Sequence, residues 1–304
     1  MPHDHHHAHV GPEAGDRRVA AAVGVNLLLT VVQIVGGLLS GSLAMIADAI
    51  HNLSDAASLV IAFVARRIAR RPADAAMTFG YGRAEVVAAL VNYTTLVLIG
   101  LYLVYEAVLR IFAPEPVTGW LVVVIAAVAL VVDLATAALT WAMSKDSMNI
   151  RAAFLHNLAD ALGSVAVIAA GTLILLFGWT WVDPVVTLAI AGYILWMSLS
   201  EMPGVIRILM LGAPPQIDAE AVVEAARTVP GVAEIHHAHL WQMQEHAASF
   251  EAHVVVAPGA WDRADAIKAA VKERLRERFG IAHSTLEMEC SAHACADVQV
   301  FGAA

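Results

Sequence analysis

Charge is scarce in this chain. Only 15% of its 304 residues are Asp, Glu, Lys or Arg, and 59% are hydrophobic; a soluble domain would carry about 25% charged and about 45–50% apolar residues. That shortage excludes a soluble globular protein and points to a polytopic membrane protein. The net charge of −9 argues against an electrostatic nucleic-acid binder. Cysteine is nearly absent: Cys290 and Cys295 allow one disulfide but no disulfide framework. A basic stretch followed by a short apolar core, the mark of a cleavable signal peptide, is also missing. The chain opens instead on His3, His5, His6, His7 and His9. This polar tail reads either as an expression tag or as a native metal-attracting segment. No His-Glu-x-x-His phrase occurs, so the sequence lacks the usual ligand pair and general base of a zinc peptidase.

What the chain has in quantity is long apolar runs. A membrane-spanning helix needs about 20 mostly apolar residues, and six segments meet that test: 18–39, 43–66, 84–112, 117–143, 150–177 and 182–210. Short connections, Ser40-Gly41-Ser42, Ala113-Pro114-Glu115-Pro116 and Gly178-Trp179-Thr180-Trp181, carry no Lys or Arg. Arg66, Arg67, Arg70, Arg71 and Arg83 crowd the second connection, Lys145 and Arg151 flank the fourth, Arg17 and Arg18 precede the first helix, and Arg207 ends the sixth. The positive-inside rule then puts both termini and the basic loops in the cytoplasm. Trp120, Trp179 and Trp181 fall where an interfacial aromatic belt belongs.

Pro214-Pro215 closes the membrane part, and the rest has soluble composition. Residues 218–228 read as a helix capped by Asp218, 232–243 and 249–256 as strands, 262–279 as a charged amphipathic helix and 283–290 as a final strand. The fold expected is six transmembrane helices followed by a cytoplasmic, ferredoxin-like α+β domain. The division is a His-rich tail at 1–16, a transmembrane domain at 17–212 and a cytoplasmic domain at 213–304.

One phrase recurs inside the apolar sequence. His51-Asn52-Leu53-Ser54-Asp55-Ala56 returns as His156-Asn157-Leu158-Ala159-Asp160-Ala161. An ionisable residue in the bilayer costs about 2.5–3.5 kcal/mol on insertion scales, which makes it a functional-site hypothesis by default. His and Asp at i and i+4 project from one helix face, about 5–6 Å apart at Cβ. A single such pair would be interhelical glue. Two pairs supply two imidazoles and two carboxylates, a four-ligand set suited to tetrahedral zinc. With three helices per half, helices two and five run in opposite directions, which is the plan of an inverted-repeat transporter. Metal binding needs neutral imidazole and ionised carboxylate, so protons compete with the cation near neutral pH. Asp48, one turn before His51, either relays cations or protons on the extracytoplasmic side or pairs with a polar neighbour, and we prefer the pairing. Asp133 sits mid-span in helix four with no sequence-local partner, and Asn26, Gln33 and Asn92 read as helix-packing polar spots.

Four features together resemble the cation diffusion facilitators: Phe79-Gly80-Tyr81-Gly82-Arg83-Ala84-Glu85, the paired His-x-x-x-Asp phrases, Asp183-Pro184 opening helix six, and His236-His237-Ala238-His239-Leu240-Trp241. The resemblance runs from about residue 17 to 290. It implies a homodimeric, non-enzymatic Zn²⁺/H⁺ antiporter, integral to the bacterial inner membrane, that exports zinc, with Cd²⁺ or Co²⁺ as further substrates. Its transport site would be His51, Asp55, His156 and Asp160. The chain departs from the family at several positions. Met77 and Tyr81 stand where some relatives carry His beside Asp74, so an extra loop metal site is not expected. Asp133 replaces the usual Asn, and Leu211 stands where an acidic partner for Arg83 is common.

In the cytoplasmic domain, family position puts His236 and His253 beside Glu287 and Glu289 of the last strand, with Cys290, His293 and Cys295 following as softer donors. The set reads as a regulatory Zn²⁺ site that would hold two copies together. Two other classes remain open on residues alone: an intramembrane metallo-enzyme, which lacks its motif, and a membrane-anchored zinc sensor, which leaves the four intramembrane ligands unexplained.

Overall fold

The computed structural model describes residues 12–141, 148–244, 247–295 and 299–302; side chains at 12–23, 25, 26, 59, 139–141 and 148–157 lie outside the description. Six long helices come first: α1 (Pro12–Ser40), α2 (Leu43–Ala69), α3 (Ala84–Phe112), α4 (Gly119–Trp141), α5 (Met148–Phe177) and α6 (Val182–Leu209). Five of them, all but α1, are long and apolar enough over their described residues to cross a membrane. The chain divides into two compact units, one of residues 1–61 and 92–200, the other of 62–91 and 201–304.

The first unit is a helical bundle whose outer surface is apolar. Val31, Leu38, Leu98, Leu101, Val131, Leu176 and Trp196 are all exposed, the distribution that a lipid solvent favours. Small residues carry the helix contacts inside. Ala47 of α2, Leu96, Leu103 and Ala107 of α3, and Ala191 and Ile194 of α6 form one buried cluster. Ala44, Met45, Val122, Ala126 and Val167 form another. The backbones of α4 and α5 come close, because a Cβ on Gly119 would meet the Gly171 carbonyl oxygen at 2.7 Å.

Helix α2 begins directly after Ser42, and its first turn is capped from outside. The buried Asp183, at the start of α6, accepts from the backbone N–H groups of Leu43 and Ala44 and from the Ser42 hydroxyl. A carboxylate at this position satisfies N–H groups that the helix itself leaves orphaned, and it faces the positive end of the helix dipole. Arg110 of α3 donates to the Gly41 carbonyl and pairs with Glu115 at 3.0 Å. The start of α2 is thereby fixed by α3 and α6.

In the second unit the soluble segment is an α+β fold in the expected order: α7 (Ala219–Arg227), β1 (Val232–Gln244), β2 (Ala247–Val256), α8 (Ala264–Phe279, after a 3₁₀ turn) and β3 (His283–Cys290). Asp218 caps α7 by accepting from the Glu220 N–H at 3.0 Å. The sheet order is β1-β2-β3, with β1 antiparallel and β3 parallel to β2. The two helices cover one face over a core of Ile235, Phe250, Val254, Ile267, Val271 and Leu275.

The connection between α2 and α3 folds back on Asp74. Its carboxylate accepts from the Ala76 and Met77 N–H groups, both at 2.8 Å, and from the Tyr81 hydroxyl at 2.7 Å. The Tyr81 bond first, then the two backbone bonds, hold the Asp74 carboxyl below its ordinary value. Asp74 therefore braces a turn, with the Tyr81 hydroxyl and the Met77 N–H among its partners.

Candidate metal centre

Helix α2 presents His51 and Asp55 one turn apart, as the i, i+4 spacing requires. The His51 Nε2 lies 3.7 Å from Asp55 Oδ2 and also 3.7 Å from Asp160 Oδ1 of α5. His51 is buried, and both carboxylates are partly so. The three donor atoms fall within 4.8 Å of one another. Donors around a tetrahedral zinc, bonded at about 2.0–2.1 Å, stand roughly 3.3 Å apart; three donors at this separation need only a small contraction to close on a cation. His156 lies on α5, but its side chain is outside the described residues.

The register of α2 against α5 can be read from a second contact. A Cβ on Gly163 would stand 2.9 Å from Asp48 Oδ1. Moving three residues back from His51 thus moves three residues forward from Asp160, so the two helices are antiparallel. A side chain at 163 would push the Asp48 carboxylate back from α5.

Asp48 is buried and accepts from Gln33 Nε2 of α1 at 2.8 Å, while the Asn52 amide reaches Gln33 Oε1 at 3.4 Å. This is the polar pairing preferred from the sequence. The buried Asp133 of α4 accepts from the Ser164 hydroxyl of α5 at 3.0 Å, a partner 31 residues away that no local pattern could supply. Ser58 donates to Asn92 Oδ1 at 2.8 Å, tying α2 to α3. Each intramembrane polar group named here thus has a partner on a neighbouring helix, while Asn26 lies outside the described side chains.

The second cluster lies on the C-terminal sheet. Strand register sets His236 opposite His253 and His253 opposite Glu287, with Glu289 two residues further along β3. Nδ1 of His253 is 2.7 Å from Glu289 Oε1, and its Nε2 is 3.4 Å from Glu287 Oε2. His236 Nε2 is 3.3 Å from Glu289 Oε2. His236 is fully buried. Cys295 joins from the tail: its N–H and its thiol both reach Glu289, at 3.3 and 3.4 Å. Burial raises the Glu289 carboxyl, but the bonds from His253 and Cys295 and the field of His236 outweigh it and hold the pKa below its ordinary value. The same bond to Glu289, then burial, pushes the Cys295 thiol up.

His237 is a member that alternation along a strand does not foresee. Its donor atoms group with those of His236, His253 and Cys295, although consecutive strand residues ordinarily face opposite ways. The register of β1 shifts between His236 and His239, and His237 has φ of 48°. A bulge of this kind re-aims a side chain, and here it turns His237 to the same side as His236. The tail holds the bulge, since the His237 and Ala238 N–H groups donate to Gln299 and Val300 at 2.9 Å each. Cys290 stands on β3 next to Glu289, where alternation turns it the other way, and the exposed His293 donates its N–H to the Cys290 carbonyl at 2.8 Å. Neither belongs to the described clusters.

A family model for the cation efflux transmembrane domain matches residues 19–210, and one for the cation efflux protein cytoplasmic domain matches 214–291. The chain is 38% identical over 291 residues to a protein of Pectobacterium atrosepticum named zinc transporter ZitB, covering 95% of this chain and 89% of that one. It is 36% identical over 293 residues to the Escherichia coli protein of the same name, covering 95% and 93%. It is 36% identical over 269 residues to a cadmium, cobalt and zinc/H(+)-K(+) antiporter of Bacillus subtilis, covering 86% and 85%. Among solved structures, a metal-bound C-terminal domain of the CzcD transporter aligns over 24% of this chain and 99% of that one, at 29% identity and a TM-score of 0.23.

Proposed function

This chain belongs to the cation efflux family, and on that premise we propose that it exports Zn²⁺ from the cytoplasm in exchange for protons. It is an integral membrane cation transporter. The observation that carries the zinc reading is the His51 imidazole held 3.7 Å from one carboxylate on its own helix and 3.7 Å from another on α5. The antiparallel register sets position 156 of α5 level with Asp55, so His156 would complete a set of two imidazoles and two carboxylates. That mixed set favours zinc over harder ions. Cadmium and cobalt are expected as further substrates.

Proton exchange follows from the ligand chemistry. An imidazole that binds metal must be neutral, so acid on the delivery side displaces the cation and leaves protons in its place. Return of the site to the cytoplasmic side releases those protons and reloads metal. The chain would sit in a bacterial inner membrane, and its basic loops support an orientation with both termini in the cytoplasm. The C-terminal cluster of His236, His237, His253, Glu289 and Cys295, with Glu287 beside it, would bind Zn²⁺ as a regulator and join two copies of the chain.

Single-ligand variants reconstituted in proteoliposomes test the reading. Asp55→Ala, Asp160→Ala and His156→Ala should each lose Zn²⁺ flux while inserting normally, because three donors leave a dehydrated cation an incomplete shell. Flux near the parent level in any of them contradicts the assignment. His253→Ala should keep flux but lose its dependence on cytoplasmic zinc.

A further inference from the structure

The ring of His51 is met edge-on by a residue of a third helix. Tyr193 of α6 lies with its ring centroid 5.9 Å from that of the imidazole, at an interplanar angle of 83°. This falls within the 4.5–7 Å range of a favourable T-shaped pair. We propose that Tyr193 is a positioning residue for the transport site: its ring holds the His51 imidazole in the one orientation that keeps Nε2 between Asp55 and Asp160, and so sets the size of the cation cage.

Three features make Tyr193 a fixed stop rather than an incidental neighbour. Its backbone is pinned, since Ala191 and Ile194 on either side are fully buried against α2 and α3. Its ring is backed in turn by Trp196, at 6.3 Å between centroids. Its height against His51 is set from below by the Asp183 bonds to Leu43 and Ala44, which bind the starts of α6 and α2 together. At 1.5 Å per residue, His51 stands about 12 Å above Leu43 and Tyr193 about 15 Å above Asp183. The two rings therefore meet at nearly the same depth on parallel helices.

The consequence is selectivity by restraint. Asp55 and Asp160 carry flexible carboxylates, whereas a clamped imidazole gives the cage one fixed wall. With that wall held, the donors close on a cation of zinc's size; with it loose, the imidazole swings outward and the cage accepts a larger ion. Tyr193 is 42% exposed, so a smaller residue opens no sealed cavity in the helix core. A change in transport then reports on His51 rather than on the fold.

This inference rests on the reading of His51 as a metal ligand, and the experiment separates the two. Zn²⁺ and Cd²⁺ flux are measured in proteoliposomes for Tyr193→Leu, Tyr193→Phe, Trp196→Leu and His51→Ala, each normalised to inserted protein. Tyr193→Leu should raise KM for Zn²⁺ by about three- to tenfold, in line with the loss of one aromatic pair. Its maximal rate should stay within about twofold, and its preference for Zn²⁺ over Cd²⁺ should narrow. Tyr193→Phe keeps the ring and should restore both KM and preference. Trp196→Leu should shift KM in the same direction by less. If Tyr193→Leu does not insert, Tyr193→Met serves in its place. A parent-like KM and metal ranking in the Leu or Met variant overturns the proposal, as does a Phe variant as impaired as Leu. Parent-like flux in His51→Ala overturns the underlying reading instead.

Discussion

The guanidinium of Arg83 lies over the ring of Trp241, 5.5 Å from its centroid. Its Nε also donates to the Met243 carbonyl at 3.1 Å, and Phe79 meets the same indole edge-to-face at 5.7 Å. Where many relatives are expected to pair this position with an acid, the chain uses an aromatic ring and a strand carbonyl. The connection after α2 is thereby held to the end of β1, the strand that bears His236 and His237.

A double-mutant cycle on full-length protein in detergent tests that contact. Arg83→Ala and Trp241→Ala should be non-additive in unfolding free energy, with a coupling of about 0.5–2 kcal/mol. Arg83→Lys should recover little of it, since an ammonium lacks the flat stacking fork. Additive losses would mean that the two side chains are neighbours without interaction.

Removing the external cap of α2 should be more damaging. Asp183→Ala leaves two backbone N–H groups and the Ser42 hydroxyl without their acceptor in a buried site. We expect a loss of about 2–3 kcal/mol, the range for buried bonds to a charged group. Asp183→Asn, which keeps one acceptor oxygen, should lose about half as much. Thermal unfolding of the two variants beside the parent measures this, and an unchanged midpoint for Asp183→Ala contradicts it.

The Glu289 carboxyl is held below its ordinary 4.5. Its stabilising contribution is therefore fully present above that value and is lost as pH falls through the lowered one. Glu289→Gln should flatten the acid limb of the unfolding curve. The Cys295 thiol is raised above 9.0, first by its bond to Glu289. With metal chelated, the alkylation rate of Cys295 should keep climbing with pH where an ordinary thiol levels off, and Glu289→Gln should move that profile to lower pH. Mass spectrometry of Cys295 against pH reads both; an unmoved alkylation profile in the variant would deny the bond.

Much of this was legible because membrane helices are written in local composition. The start of α2 after Ser42, the limits of α3 and the span of β3 follow from apolar runs and turn residues alone. The juxtaposition of His51 and Asp55 follows from helical spacing, and that of Asp160 from repetition of the phrase on an antiparallel helix. The polar partners were not legible. Asp133 meets Ser164 and Asp48 meets Gln33 across helix contacts that no periodicity encodes. His237 escaped for a different reason. Alternation along a strand assigns it to the face opposite His236, and only the bulge with its left-handed residue brings the two together. The edge-on contact of Tyr193 with His51 likewise depends on the depth of α6 against α2, which Asp183 sets from the far side of a 140-residue separation.

The central claim is that His51, Asp55, His156 and Asp160 form one site for which Zn²⁺ and protons compete. Zn²⁺ flux in proteoliposomes under an imposed pH gradient tests it most directly. A proton gradient should drive Zn²⁺ uphill in the direction opposite to proton flow, a protonophore should abolish the uphill component, and Asp160→Ala should show neither. Zinc movement that ignores the pH gradient, or uphill transport that survives Asp160→Ala, would contradict the account.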